Sequence, residues 1–201
     1  MFEIRIHGRG GQGVVTAAEL LSIAAFDAGR HAQAFPSFGS ERTGAPVVAF
    51  CRLGDRPIRA REPIAEPDAV IVIDPTLVHQ VDVFGGLRAG GYVLINSSRS
   101  FEELGLDDLR QRFSAERLQT VPATELAREF LGRPLPNAAI LGGFAALSAQ
   151  ISLAALARAI RERFGGDAAA GNVRAAEQAY AFTAQRLASL PVPHTELVVH
   201  D

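Results

Sequence analysis

The segment Gly8-Arg9-Gly10-Gly11-Gln12-Gly13 stands directly between an apolar strand and an apolar-faced helix, and that junction restricts what the chain can fold into. Phe2, Ile4 and Ile6 alternate with Glu3 and Arg5, the period of a strand with one buried face. Val14, Ala17, Ala18, Leu21, Ala24, Ala25 and Ala28 then recur at helical spacing, and Gly29 ends the run. A strand that turns through glycines into a helix belongs to an α/β sheet, with the loop at the strand's carboxyl end. Glycine serves there in two ways: it accepts positive φ in a tight turn, and it lets the backbone approach a ligand or a neighbouring chain. Bare N–H groups at the start of the helix also suit an anion.

Gly8, Gly10 and Gly13 fit the GxGxxG spacing of dinucleotide folds. Those folds also need an acid about twenty residues on, at the end of the second strand, to hold the ribose. Here the second strand is expected over His31 to Phe35 and runs into Pro36-Ser37-Phe38-Gly39 without a carboxylate; Asp27 falls at the end of the helix instead. The sequence therefore argues against a nicotinamide site. A glycine turn required only by strand–helix packing stays open as the plainer reading.

At 201 residues the chain is long enough for one sizeable domain. It shows no charged-then-apolar leader and no apolar run able to span a bilayer, so a cytoplasmic location is expected. A net charge of −2 gives no reason to invoke nucleic acid or a membrane surface. Cys51 is the only cysteine, which excludes iron–sulfur ligation or an internal disulfide by this chain. All twenty basic residues are arginine, which excludes a Schiff-base or Walker-type lysine and leaves side chains suited to bidentate contact with phosphate or carboxylate. Composition bias explains the arginine excess more simply than selection for anions. His7, His31, His79, His194 and His200 show no metal-binding spacing, and no serine sits in a GxSxG elbow. No catalytic residue and no metal ligand is nominated.

Residues 36–46 form a loop rich in glycine, proline and hydroxyls. Val47 to Leu53 and Arg56 to Ala60 flank Gly54-Asp55, which predicts a tight hairpin. Ala69 to Asp74 and Tyr92 to Asn96 are continuous apolar runs, as expected of strands buried on both faces. A charged stretch from Phe101 to Arg117 is expected to pack on the outside; Leu118 to Val121 reads as a last strand and Thr124 to Leu131 as a short helix. The C-terminal third is helical, with predicted caps at Asn137, Ser152 and Asn172 and a break at Gly165-Gly166. Gly142-Gly143 inside a helix implies that something packs very closely against it. The fold class is α/β: a three-layer Rossmann-like domain with a mainly parallel sheet, a β-hairpin insert and a helical C-terminal third. One domain is expected over 1–190, with a tail over 191–201.

The motifs taken together resemble a known family. Gly8-Arg9-Gly10-Gly11-Gln12-Gly13 is followed by Phe35-Pro36-Ser37-Phe38-Gly39-Ser40-Glu41-Arg42-Thr43-Gly44-Ala45-Pro46, then Ile73-Asp74-Pro75 and Gly91-Tyr92-Val93-Leu94-Ile95-Asn96. Val121-Pro122-Ala123-Thr124, Asn137 with Leu141-Gly142, and Asn172 with Ala175-Ala176 continue the order. Over about residues 2–185 the chain is similar to the gamma subunit, or gamma domain, of the thiamine-dependent 2-oxoacid:acceptor oxidoreductases, the family of pyruvate:ferredoxin oxidoreductase. The Glu-Arg-x-Gly-Ala-Pro form is closest to the pyruvate and branched-chain type.

The resemblance implies a multi-subunit enzyme that oxidatively decarboxylates a 2-oxo acid to an acyl-CoA. It implies alpha, beta and ferredoxin-like delta-type partner subunits that carry thiamine diphosphate, magnesium and iron–sulfur clusters. It gives this chain a part in coenzyme A binding, active-site closure and assembly, with no activity alone. The 2-oxo acid stays open among pyruvate, branched-chain, 2-oxoglutarate and aromatic types such as phenylglyoxylate, as does a ferredoxin, flavodoxin or NAD-linked acceptor. Arg9, Gly10, Gly11, Gln12, Gly13, Ser40 and Arg42 are the candidate coenzyme A or inter-subunit residues. Against them stand plainer roles: packing for the glycines, a solvated Arg9, and an Arg42–Glu41 or partner-chain ion pair. Asp74 and Asn96 read as turn caps, and Cys51 as a small buried hydrophobe. The alternatives are a stand-alone NAD(P)-binding Rossmann module or reductase, and an interaction subunit with no ligand. The missing second-strand acid and the missing Tyr–Lys pair count against the reductase.

Overall fold

The computed structural model describes residues 1–37 and 43–191. Of the expected tail, 192–201 lie outside the described residues. Six strands form one sheet: β1 (Phe2–Arg9), β2 (His31–Pro36), β3 (Pro46–Gly54), β4 (Ala69–Val72), β5 (Tyr92–Asn96) and β6 (Leu118–Val121). Their spatial order is β2-β3-β1-β4-β5-β6. β1, β4, β5 and β6 pair in parallel, while β3 runs antiparallel to both β1 and β2.

The apolar runs of β4 and β5 are buried on both faces, as their composition predicts. On one face Ile71, Ile73 and Leu94 join Ile4, Ile6 and Cys51 against the helices α1 (Val14–Asp27), α4 (Asn137–Ser148), α5 (Leu153–Arg163) and α6 (Gly166–Ala188). On the other, Val70, Val72, Val93 and Ile95 meet Leu77, Phe101, Leu104, Leu109 and Phe113. The charged stretch after Phe101 thus does more than lie outside. Its apolar residues, around the short helix α2 (Asp107–Arg112), form the third layer. The remaining helix, α3 (Ala123–Leu131), lies where the sequence expects it. No helix is long and apolar enough to cross a membrane among the described residues.

The hairpin expected at Gly54-Asp55 does not form. Residues 55–68 hold no strand, because both edges of β3 are already taken, by β1 and by β2. The carbonyls of Ala60 and Glu62 instead accept from the guanidinium of Arg52, at 3.4 and 2.7 Å. Arg52 is only 1% exposed, and its Nε also donates to Glu3 Oε1 at 2.9 Å. A buried guanidinium satisfied by a carboxylate and carbonyls holds this segment through side-chain bonds in place of a strand ladder. The antiparallel strands that follow one another in the chain are β2 and β3.

Two predicted helix caps also fail. Ser152 caps α5 as expected, accepting from the Ala155 N–H at 3.1 Å. Asn137, by contrast, is already the first residue of α4 and makes no cap hydrogen bond. Asn172 lies inside α6, which begins at Gly166, and its Nδ2 donates to the Ala168 carbonyl one turn back. Packing of α6 on α3 and α4, with Gly171 set against the Phe130 carbonyl, sustains the helix past a position that local propensity alone marks as a start.

The close approach implied by Gly142-Gly143 is real. A Cβ on Gly142 would lie 1.9 Å from the Ala176 carbonyl oxygen of α6, a backbone atom with no freedom to yield. Gly143 faces side chains, with Thr183 Oγ1 at 3.1 Å. Gly142→Ala is therefore expected to cost about 2 kcal/mol despite better helix propensity, lowering Tm by roughly 4–8 °C, and Gly143→Ala clearly less. Thermal unfolding of the two variants checks the order; equal values would mean that the α4–α6 crossing relaxes freely.

On β1, Arg5 Nε donates to His7 Nε2 at 3.0 Å, and its terminal nitrogen donates to the carbonyls of Val83 and Gly85 at 3.0 and 2.6 Å. Burial, and then the neighbouring Arg5 charge, push His7 down to about 3 from an ordinary 6.5. His7 is thus neutral in the fold, with Nε2 as acceptor. Its contribution is fully present above pH 6.5 and is lost as pH falls from there toward 3. Stability should decline over that window by up to about 1.4 kcal/mol per pH unit from this group. In His7→Gln, which keeps an acceptor for Arg5, urea midpoints between pH 6.5 and 4.5 should show a flatter profile than wild type. An identical slope would assign the decline to other groups.

Candidate functional site

The glycines of the loop after β1 are required for different reasons. A Cβ on Gly8 would meet Val14 Cγ2 at 2.6 Å and Ile73 Cβ at 3.2 Å, so this position is closed by strand–helix packing. Gly10 is tied to the end of the 37–45 loop: its N–H donates to the Ala45 carbonyl at 2.9 Å and its carbonyl accepts from Gly44 at 3.1 Å. Gly11 has φ of 94° with nothing within 4 Å of a would-be Cβ, so conformation alone selects glycine there and the approach is open. Gly13 needs both properties. Its φ is 77°, and a Cβ would sit 2.6 Å from Asn137 Nδ2.

Gln12 and Arg9 turn inward, onto Asp74 at the end of β4. The Gln12 amide is engaged at both ends: Oε1 accepts from the Arg9 N–H and Nε2 donates to Asp74 Oδ2, each at 2.7 Å. Arg9 Nε lies 3.2 Å from the same carboxylate oxygen. Its terminal nitrogens donate to the Gly44 carbonyl at 3.1 Å, Thr76 Oγ1 at 2.9 Å and Gln80 Oε1 at 2.7 Å. Asp74 Oδ1 accepts from the Thr76 N–H at 2.9 Å and its hydroxyl at 2.5 Å, capping the 3-10 turn Pro75–His79 as the sequence predicts. Burial by itself would raise the Asp74 pKa. Hydrogen bonds from the Thr76 hydroxyl, Gln12 and the Thr76 N–H, with the charge of Arg9, outweigh it and hold the carboxyl below its ordinary value.

The structure therefore brings Arg9, Gly10, Gly11, Gln12 and Gly13 to the carboxyl edge of the sheet, between β1 and β4, where open α/β folds take ligands. Ser40 and Arg42 lie outside the described residues. Sequence reasoning missed Thr76 and Gln80 as partners of Arg9, and Asn137 as the wall against Gly13. The Asp74-Pro75-Thr76 turn signature was a usable pointer to the first; nothing local marked Gln80. Asn96 ties this edge together on its far side. Its Nδ2 donates to the Ile73 carbonyl and Thr124 Oγ1, both at 2.8 Å, and its Oδ1 accepts from the Thr124 N–H at 3.1 Å.

Burial pushes the Cys51 thiol up to about 12 against a smaller opposing effect of Arg30, so it stays protonated inside the core. No group of three or more His, Cys, Asp and Glu able to hold a metal occurs among the described residues. The topology also bears on the dinucleotide reading. β3 stands between β1 and β2, so the end of β2 is two strand spacings, about 10 Å, from the glycine loop. An acid there would be out of position for a ribose.

Known proteins match this arrangement over about nine-tenths of the chain. Residues 3–182 fit the family described as pyruvate ferredoxin/flavodoxin oxidoreductase. The chain is 49% identical to the pyruvate/ketoisovalerate oxidoreductases common subunit gamma of Thermococcus kodakarensis, over 90% of this chain and 96% of that protein. It is 47% identical, over the same shares, to the pyruvate synthase subunit PorC of Methanothermobacter marburgensis. Among solved structures, the pyruvate oxidoreductase subunit PORC of Thermotoga maritima superposes with a TM-score of 0.75 at 35% identity, covering 90% of this chain and 95% of that one.

Proposed function

Because this chain belongs to the pyruvate ferredoxin/flavodoxin oxidoreductase family, we propose that it is the gamma subunit of an assembly that oxidatively decarboxylates a 2-oxo acid and passes the acyl group to coenzyme A. The observation that carries this reading is the likeness to gamma-type subunits over 90% of this chain and 96% of the Thermococcus kodakarensis protein. The relatives' names favour pyruvate or branched-chain 2-oxo acids as substrates. A chain with one cysteine cannot supply a cluster's thiolates, so the iron–sulfur clusters belong to partner subunits, as do thiamine diphosphate and magnesium. We read 1–190 as one gamma-type domain and the assembly as cytoplasmic.

In this reading coenzyme A meets the chain at the Gly10–Gly13 edge. Gly11, open on its Cβ side, and the N–H groups that begin α1 face the ligand. Gln12 and Arg9, committed to Asp74, hold the loop's shape rather than reading the ligand directly. Ser40 and Arg42 keep the roles given them by the sequence, as candidate contacts from the loop before β3.

Two experiments test this. Native purification of the tagged chain should bring down thiamine- and cluster-bearing subunits with a brown visible spectrum, and a 2-oxo acid panel then fixes the substrate. A colourless chain that emerges alone and binds NAD(P) would favour the stand-alone module. Within the assembled enzyme, Gly11→Val places a branched side chain at φ of 94° and is expected to raise the KM for coenzyme A about tenfold, leaving CoA-independent decarboxylation largely intact. An unchanged KM in a complex that still assembles would reduce the loop to a packing element.

A further inference from the structure

A cavity of about 420 Å³, a volume within the range of small-molecule sites, opens at the far edge of the sheet, between the amino end of β6, the end of α6 and the segment around α2. β6 stands three strand spacings, about 14 Å, from β1, so the cavity is separate from the glycine loop. Phe101, Phe113 and Leu118, buried members of the third layer, make one wall apolar, and Leu190 borders it from the end of α6.

Two polar groups in the wall are short of partners. Gln119 is only 4% exposed; its Nε2 donates to the Ala115 carbonyl at 3.2 Å, while its Oε1 is shut from water and bonds to nothing among the described residues. Leaving a buried carbonyl unpaired costs about 1–3 kcal/mol, a cost that an apolar side chain of similar size would not carry. The second group is the half-buried guanidinium of Arg186. One terminal nitrogen donates to Thr120 Oγ1 at 3.3 Å, but no carboxylate among the described residues pairs with it. Its Nε and Nη2 make no hydrogen bond there and are not sealed, and that edge of an arginine can grip a carboxylate with two parallel bonds. At the mouth, Arg110 and Glu102 offset one another at 3.4 Å. The unmatched charge in the wall is therefore that of Arg186.

We propose that this cavity binds a 2-hydroxy carboxylic acid with an apolar side chain. Arg186 takes the carboxylate through Nε and Nη2, and the two phenylalanines with Leu118 and Leu190 cover the side chain. Binding turns the Gln119 amide so that Oε1, closed off in this structure, accepts from the ligand hydroxyl. Charges then match one to one: a single anion meets a single unmatched cation, and a neutral donor meets a neutral acceptor. An amino group in place of the hydroxyl would bring in a second charge with no free carboxylate to receive it. Bound there, the acid joins α6 to the third layer across the edge of β6.

Calorimetric titration of the full chain with 3-phenyllactate tests the site, with 3-phenylpropanoate, phenylpyruvate and phenylalanine as comparisons. Wild type should bind 3-phenyllactate about tenfold more tightly than 3-phenylpropanoate, which lacks the hydroxyl. Arg186→Gln should weaken 3-phenyllactate about tenfold, and Arg186→Lys, which keeps the charge without the fork, should recover part of the loss. Gln119→Leu removes the unpaired carbonyl and is expected to bind the two acids equally. Circular dichroism verifies folding, and Gln119→Leu carries the comparison should the Arg186 variants misfold. Wild type that does not bind 3-phenyllactate, or variants that keep its affinity and its preference over 3-phenylpropanoate, would overturn the site. Phenylpyruvate or phenylalanine binding more tightly than 3-phenyllactate would overturn the assignment of a hydroxy acid.

Discussion

The carboxylate of Asp74 ties together the segments that meet at the carboxyl edge of the sheet. It accepts from Thr76 and Gln12 and pairs with Arg9, and Arg9 in turn grips Gly44 and Gln80. The turn after β1, the end of the 37–45 loop and the 3-10 turn after β4 are thereby fixed relative to one another. A carboxylate that is mostly out of water is stable only if it is neutralised and hydrogen-bonded, so the network is all-or-none in character. Losing one donor exposes the others to the same penalty. That coupling gives a loop made largely of glycine a single shape.

Side chains that look ligand-facing in sequence, Arg9 and Gln12, are spent on internal order. What remains open is backbone at Gly11, where nothing lies within 4 Å of a would-be Cβ. A surface of N–H dipoles attracts an anion without a compensating cation, and it is geometrically less forgiving than a long arginine. Pre-organisation by Asp74 and a backbone left free of side-chain cover at Gly11 are thus two sides of one arrangement.

The insertion of β3 between β1 and β2 separates this fold from dinucleotide enzymes that share its glycine spacing. Order β2-β3-β1 moves the second strand outward, and with it the position from which a ribose would be held. The same insertion takes up both edges of β3 and forces residues 55–68 into irregular chain held by Arg52. One topological change therefore accounts for both the missing acid and the missing hairpin.

Periodicity and turn chemistry determined most of the elements. The strand–glycine–helix start, the doubly buried β4 and β5, the Ser152 cap and the close approach at Gly142 follow from spacing, because burial on a face imposes a repeat that can be counted. The order of motifs also marked the family. Tertiary structure alone decided which local preferences prevailed. The Gly54-Asp55 turn found no free strand edge, Asn172 was absorbed into a longer helix packed on α4, and Asn137 became a wall of the glycine loop instead of a cap. Which atoms Arg9 and Gln12 would hold was equally hidden, since Asp74, Thr76 and Gln80 lie more than sixty residues away in the chain. Local sequence states what a residue can bond; only the folded sheet, by placing the ends of β1 and β4 side by side, states what it does bond.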